Sequence, residues 1–172
     1  MLTALSAAIV AAVASLAGVT LGAIVEPLKL NAARRAKLRQ DRADRCAGLI
    51  EAAVRARQHI IDLNIVHRRR KLTKEDPEVI AKREAEYEDL YYGARSQMRS
   101  YFGLIVMSGP DELVAQVAVL RDKEMRLHHT RFDLDPDGVF HRPTLPARVR
   151  EATVELDRAI EEFAVVARRY TG

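Results

Sequence analysis

The chain has no tryptophan and a single cysteine, Cys46. One thiol cannot close an intramolecular disulfide, so a disulfide-stapled scaffold is excluded and the usage suits a reducing compartment. Glycine and proline number only eight and six in 172 residues, too few for the closely spaced turns of a β-sandwich or barrel. There is no phosphate-cradling glycine loop, no H-E-x-x-H and no G-x-S-x-G. These absences leave no cofactor implied and no reaction class that a motif would name. The most local absence is charge: residues 2–25 contain no Asp, Glu, Lys or Arg.

That uncharged run has three readings. At about 1.5 Å rise per residue, 24 helical residues extend roughly 36 Å, enough to cross a hydrocarbon core of about 30 Å with some tilt. A secretory signal expects a basic start and an apolar stretch of only about 7–15 residues; here nothing basic precedes the run except the amino terminus. A buried soluble helix is the third reading, and 24 uncharged residues is long for one. The length favours a transmembrane anchor over residues 1–27, closed by Glu26 and Pro27, with 28–172 as the body. Ala14, Gly18 and Gly22 recur at four-residue spacing, which lets two helix backbones approach closely in lipid. In so alanine-rich a stretch the same spacing also arises by chance.

The chain turns strongly basic after the run. Residues 27–72 hold 13 Lys/Arg against 4 Asp/Glu, whereas 73–172 hold 15 against 19. Lys29, Arg34, Arg35, Lys37, Arg39, Arg42 and Arg45 lie within about 20 residues of the run, the window in which cations set membrane topology. They place the body in the cytoplasm and the N-terminus outside. They also suit anionic headgroups, at about 1 kcal/mol per cation near the surface. The "RRRK" at 68–71 fits the negative end of a helix dipole, and no recognition-helix or RNA-module motif directs it to nucleic acid.

Composition is otherwise that of a folded helical protein, 48% hydrophobic and 30% charged. Cys46, Leu49, Ala53, Ala56, Ile60, Leu63 and His67 step by three and four, predicting a helix over 28–71, roughly 65 Å if unbroken. Thr73 offers the N-cap of the next, with "TKEDPEV" as its start signal. Ile80, Tyr87, Tyr91, Ala94, Met98, Tyr101 and Ile105 share one face of a helix over 77–107. "SGPDEL" breaks it: Ser108 or Gly109 stops the helix, Pro110 suits a first helical position, and Asp111 and Glu112 suit its positive end. A third helix spans 110–129. "TRFDLDPDGVFHRPTLP" reads as loop, and a fourth helix over 146–170 carries the seam Val149, Thr153, Leu156, Ile160, Phe163, Ala167, Tyr170. No segment alternates as a strand. The expected fold is all-α: an N-terminal transmembrane helix, a long helix, and an antiparallel four-helix cytoplasmic bundle.

Several clusters invite chemistry. Asp133, Asp135, Asp137 and Gly138 match the start of a calcium loop, but the twelfth position is Thr144 where a bidentate Glu is needed, and Pro136 restricts the turn. A tight Pro-Asp-Gly turn explains the same residues. His128, His129 and His141 flank it, so Asp133, Asp135, Asp137 and His141 are the metal candidates, at a spacing that fits no zinc pattern. His59 and His67 are two turns apart, too far to chelate, and His67 continues a seam. Tyr87, Tyr91, Tyr92, Tyr101 and Phe102 form a core stripe or a partner-binding face. Arg42 and Arg45 would lower the Cys46 pKa, but its seam position predicts a buried structural thiol.

The layout of an uncharged Ala/Gly/Val-rich run, then "NAARRAKLRQDRADR", then helices with a "GPDEL" start resembles a broad set of small actinobacterial single-pass membrane-anchored helical proteins. The resemblance implies that architecture and supplies no catalytic residues. The reading is a non-enzymatic membrane protein whose bundle is an interaction or structural module. Its partners would be the lipid bilayer and a second copy or another protein, with nucleic acid disfavoured. The alternatives are a metal-binding protein using the aspartate loop, and an anionic-lipid or nucleic-acid-binding regulator using the basic helix.

Overall fold

The computed structural model describes the backbone of residues 2–72, 75–130 and 145–171, with side chains from residue 26 onward except 27, 68, 69, 71 and 72. Four helices form a bundle: α1 (Leu2–Leu72), α2 (Pro77–Ser108), α3 (Asp111–His129) and α4 (Ala147–Thr171). Two units divide the chain, Met1–Asp41 and Arg42–Gly172. Residues 28–41, grouped with the bundle on sequence grounds, fall in the first unit. There, Glu26 and the side chains of 28–40 are exposed along α1. No described helix is long and apolar enough to cross a membrane; the side chains of 2–25, on which the anchor reading rests, lie outside the described residues.

Within the second unit, cross-helix pairs establish the topology. Arg45, Arg55 and His67 on α1 meet Ser108, Gln97 and Glu84 on α2, in opposite chain order. Tyr91 and Arg95 meet His128 and Glu124 across α2 and α3. Glu112 and Lys123 of α3 meet Arg169 and Glu155 of α4. Arg42 and Arg57 of α1 meet the Tyr170 carbonyl and Asp157 of α4. Every neighbour is antiparallel, and the ring closes from α4 back to α1.

The seams read from the sequence form the core. Cys46, Leu49, Ala53, Ala56, Ile60 and Leu63 are buried, as are Tyr91, Met98, Ile105, Leu156 and Phe163. Small residues on α1 (Ala52, Ala53, Ala56) share this core with large ones from its neighbours, the volume complementarity a close-packed interior needs. Helix ends obey local chemistry. Asp76 caps α2, its carboxylate accepting from the Glu78 N–H at 2.9 Å. The expected Thr73 lies outside the described residues; Pro77, at the first position of α2, holds the residue before it extended, which is the cap conformation. Gly109 ends α2, its N–H bonding the Ile105 carbonyl at 2.7 Å. A Cβ there would lie 2.6 Å from that oxygen, so the turn requires glycine.

A second glycine position is set by packing. A Cβ at Gly48 would sit 2.6 Å from Tyr101 Oη, 2.7 Å from its Cε1 and closer still to Cζ. Gly48 therefore sits inside a helix because the Tyr101 ring occupies the space a side chain would take. Gly48→Ala is expected to destabilise by about 1–3 kcal/mol from overpacking. In a Tyr101→Ala background the same change is expected to stabilise by up to about 1 kcal/mol, as alanine is the better helix former. Chemical denaturation of the four chains of this cycle checks the sign reversal.

Candidate functional site

The most polar part of the interior lies between α2 and α3. Tyr91 and Arg95 are four residues apart on α2, Glu124 and His128 four apart on α3, so each pair sits on one helix face. The antiparallel packing brings the two faces together. Arg95 and Glu124 are each only 5% exposed. The guanidinium grips the carboxylate twice, Nε to Oε1 at 2.5 Å and Nη2 to Oε2 at 3.2 Å, the forked geometry that makes Arg–carboxylate pairs strong. Arg95 Nη2 also reaches Met125 Sδ at 3.1 Å, and its Cζ lies 5.7 Å from the Tyr91 ring centroid, within cation–π range.

Tyr91 and His128 complete the cluster. The Tyr91 hydroxyl and His128 Nδ1 share a 2.8 Å hydrogen bond, with Glu124 Oε1 at 3.5 Å from the same hydroxyl. The two rings stack, centroids 5.8 Å apart and 17° from parallel. Burial first, then the Glu124 charge, pushes the Tyr91 pKa far above its ordinary value, so the phenol keeps its proton. Burial and then Arg95 hold the His128 imidazole below 6.5, with His129 and Arg99 adding to the effect and Glu124 opposing it. The cluster is therefore a neutral His–Tyr pair laid against a paired Arg–Glu. Each charged group is committed to a partner inside the fold, and the arrangement ties α2 to α3 in one register.

Of the aromatic stripe, Tyr91 and Phe102 are buried and Tyr87 and Tyr101 pack half-buried against the core, while Tyr92 is 45% exposed. His129 is exposed beside His128, ring centroids 5.8 Å apart. His67 bonds Glu84 Oε1 through Nε2 at 2.5 Å, the satisfied bundle-end histidine that its seam position predicts. His59 is half-buried, with Nδ1 unpartnered. Cys46 is buried, and burial pushes its thiol up, with Arg42 opposing. Lys29, Arg34, Arg35, Lys37 and Arg39 are exposed. Arg42 instead donates to the Tyr170 carbonyl at 3.4 Å and Arg45 to Ser108 Oγ at 2.5 Å. Asp133, Asp135, Asp137 and His141 lie outside the described residues, as do the side chains of Ala14, Gly18 and Gly22. Among the described residues no group of three His, Cys, Asp or Glu is placed to hold a metal ion.

Sequence reasoning passed over Arg95 and Glu124. The signal was there: Arg95 falls between Tyr91 and Met98 on the apolar face of α2, and Glu124 interrupts the stripe Val117, Leu120, Leu127 of α3. One charge on each of two facing apolar stripes, opposite in sign, marks a buried pair. No protein-family model, curated protein or solved structure matches the chain.

Glu124→Ala leaves Arg95 buried without a counter-charge and is expected to cost about 3–5 kcal/mol, whereas Arg95→Met with Glu124→Leu recovers most of the loss. Denaturant midpoints of the two variants and the parent check this. His128 also confers a pH dependence. The unfolded imidazole takes a proton near 6.5 and the folded one only below that, so protonation favours unfolding. The contribution is full above pH 6.5 and is lost as pH falls toward the folded value. Stability between about pH 7.5 and about pH 5 should fall less steeply in His128→Gln than in the parent, in urea melts across that range.

Proposed function

We propose that the protein is a single-pass membrane protein without enzymatic activity, whose helical bundle is an interaction or structural module in the cytoplasm. The observation that carries this reading is a contrast along one stretch of sequence. Residues 2–25 bear no charge, and residues 28–40 then bear five cations and no anion. The side chains of 28–40 are all exposed, so none of these cations is occupied in packing. A run long enough to span the hydrocarbon core, followed by exposed cations on its C-terminal side, is what the positive-inside rule expects of an anchor with that side in the cytoplasm. The same cations are available to anionic headgroups. The interior supports a binding rather than a reactive role for the bundle, because its buried charges, Arg95 and Glu124, neutralise each other.

The protein should stay in the membrane pellet on alkaline carbonate extraction of cells expressing the full chain. A cysteine placed on α4 at Val154, 52% exposed, should react with a membrane-impermeant maleimide only after the cytoplasmic side is opened. Release into the carbonate supernatant would overturn the anchor, and labelling of intact cells would overturn the orientation. Salt distinguishes a nucleic-acid role: co-sedimentation with DNA that falls steeply with ionic strength, in the absence of vesicles, would point to phosphate-backbone binding instead.

A further inference from the structure

The segment at 102–107, "FGLIVM", is six residues without a polar side chain. Phe102 and Ile105 enter the core, but Leu104, Val106 and Met107 point outward, 37%, 55% and 77% exposed. On the adjoining surface of α3, Val114 is half-buried and Ala118 exposed. Between the helices lies a groove of about 340 Å³ lined by Phe102, Val106, Val114 and Ala118, with Arg121 and Asp122 beside them. Adjoining exposed apolar residues such as Val106 and Met107 are a liability to a protein that leaves them in water. Gly103 belongs to the same face, three and four residues before Val106 and Met107. A Cβ at Gly103 would meet nothing within 4 Å, so the chain's own packing does not require glycine there, although glycine weakens a helix interior. A residue without a side chain at that point lets the backbone of an outside helix come close.

We infer that this α2–α3 face is the surface through which two copies of the chain associate. The inference rests on the reading of the bundle as an interaction module and names its partner. Charge identifies the occupant. Arg121 and Asp122 are neighbours of opposite sign, both exposed. Arg121 has no ion-pair partner among the described residues, and Asp122 is held only by the exposed Arg126 at 3.0 Å. Two copies related by a two-fold axis present the same patch to each other, so Arg121 of each can meet Asp122 of the other. The face is thus apolar at its groove and complementary to itself in charge. A nucleic acid backbone would be opposed by Asp122 and gain nothing from the apolar groove. Confinement of anchored chains to one membrane raises their effective concentration, so a modest patch suffices.

Oxidative cross-linking of full-length chains in native membranes tests the face. Val106→Cys and Ala118→Cys should each give a disulfide-linked dimer. Val154→Cys on α4 should not, and neither should the parent, whose one thiol is buried. In the Ala118→Cys chain, Arg121→Asp or Asp122→Arg alone should lower dimer yield roughly two- to thirtyfold, as expected for the two exposed charge pairs that the two-fold axis creates. The two changes together should restore it. Absence of dimer at positions 106 and 118, equal yield at 154, or cross-links to a different polypeptide would overturn the inference, as would a charge exchange that fails to restore. Melting temperatures of each variant show whether a loss reflects unfolding. Carbonate extraction is scored on the same samples: cross-linking without membrane retention supports the face and removes the anchor, and retention without cross-linking does the reverse.

Discussion

Arg95 and Glu124 are the constraint around which the second unit is arranged. Two full charges have been taken out of water, and each is tolerable only because the other is 2.5 Å away. Any slip of α2 against α3 by one residue would pull the fork off the carboxylate and leave both ions uncompensated. The two helices are joined by Gly109 and Pro110 alone, so the turn at one end and the ion pair further along fix the same register twice. Tyr91 and His128 inherit their properties from this pair. The phenol is held protonated by burial and the carboxylate next to it, the imidazole is held neutral by burial and the guanidinium, and the two then stack as uncharged rings.

The remaining contacts are of a different kind. Arg57 with Asp157, Lys123 with Glu155, and Arg169 with Glu112 join helices at half-buried or exposed positions. Pairs of this sort contribute about 0–1 kcal/mol each, because water screens them and long side chains lose freedom in making them. They conform to the antiparallel order rather than impose it. The apolar core holds α1 and α4 in place, where alanines on α1 share the interior with Phe163, Leu156, Tyr91 and Met98. The geometry is therefore specified by one buried polar pair and stabilised by area removed from water.

Much of this was legible in the sequence, and the parts that were not share a cause. Periodicity located four helices within about two residues of their ends apart from the long first one, and most residues of the seams named from spacing are core, with Tyr87, Tyr101 and Tyr170 half-buried against it and His67 at the bundle end. "SGPDEL" located the α2–α3 turn because Gly and Pro act through local sterics that need no partner. Asp76, not Thr73, is the cap of α2: both residue types suit the position, and the backbone conformation before Pro77 decides between them. Arg95 and Glu124 were missed because each, taken singly, reads as an ordinary charged residue on a helix. Their meaning comes from facing each other, which is a tertiary fact. The run at 102–107 was legible in part. The helical spacing places Ile105 inward and Phe102 in the aromatic stripe, but it does not say that Leu104, Val106 and Met107 stay uncovered, because that depends on what packs over them.

The same physics separates what the bundle keeps from what it offers. Inside, each charge has been given a counter-charge, so an incoming ligand would have to break a pair to recruit one. Outside, the arginines of 34–39 and the exposed apolar side chains Val106, Met107 and Ala118 have no partners among the described residues. An exposed cation costs almost nothing in water, so the basic stretch alone is weak evidence of use. An exposed valine next to a methionine is less easily accepted, and a glycine that the helix does not need beside them less still. Where a chain retains features that lower its own stability and shield nothing internal, the compensating contact is external. Arg121 beside Asp122 then bears on the partner, because neighbouring charges of opposite sign can each meet the other on a copy related by a two-fold axis.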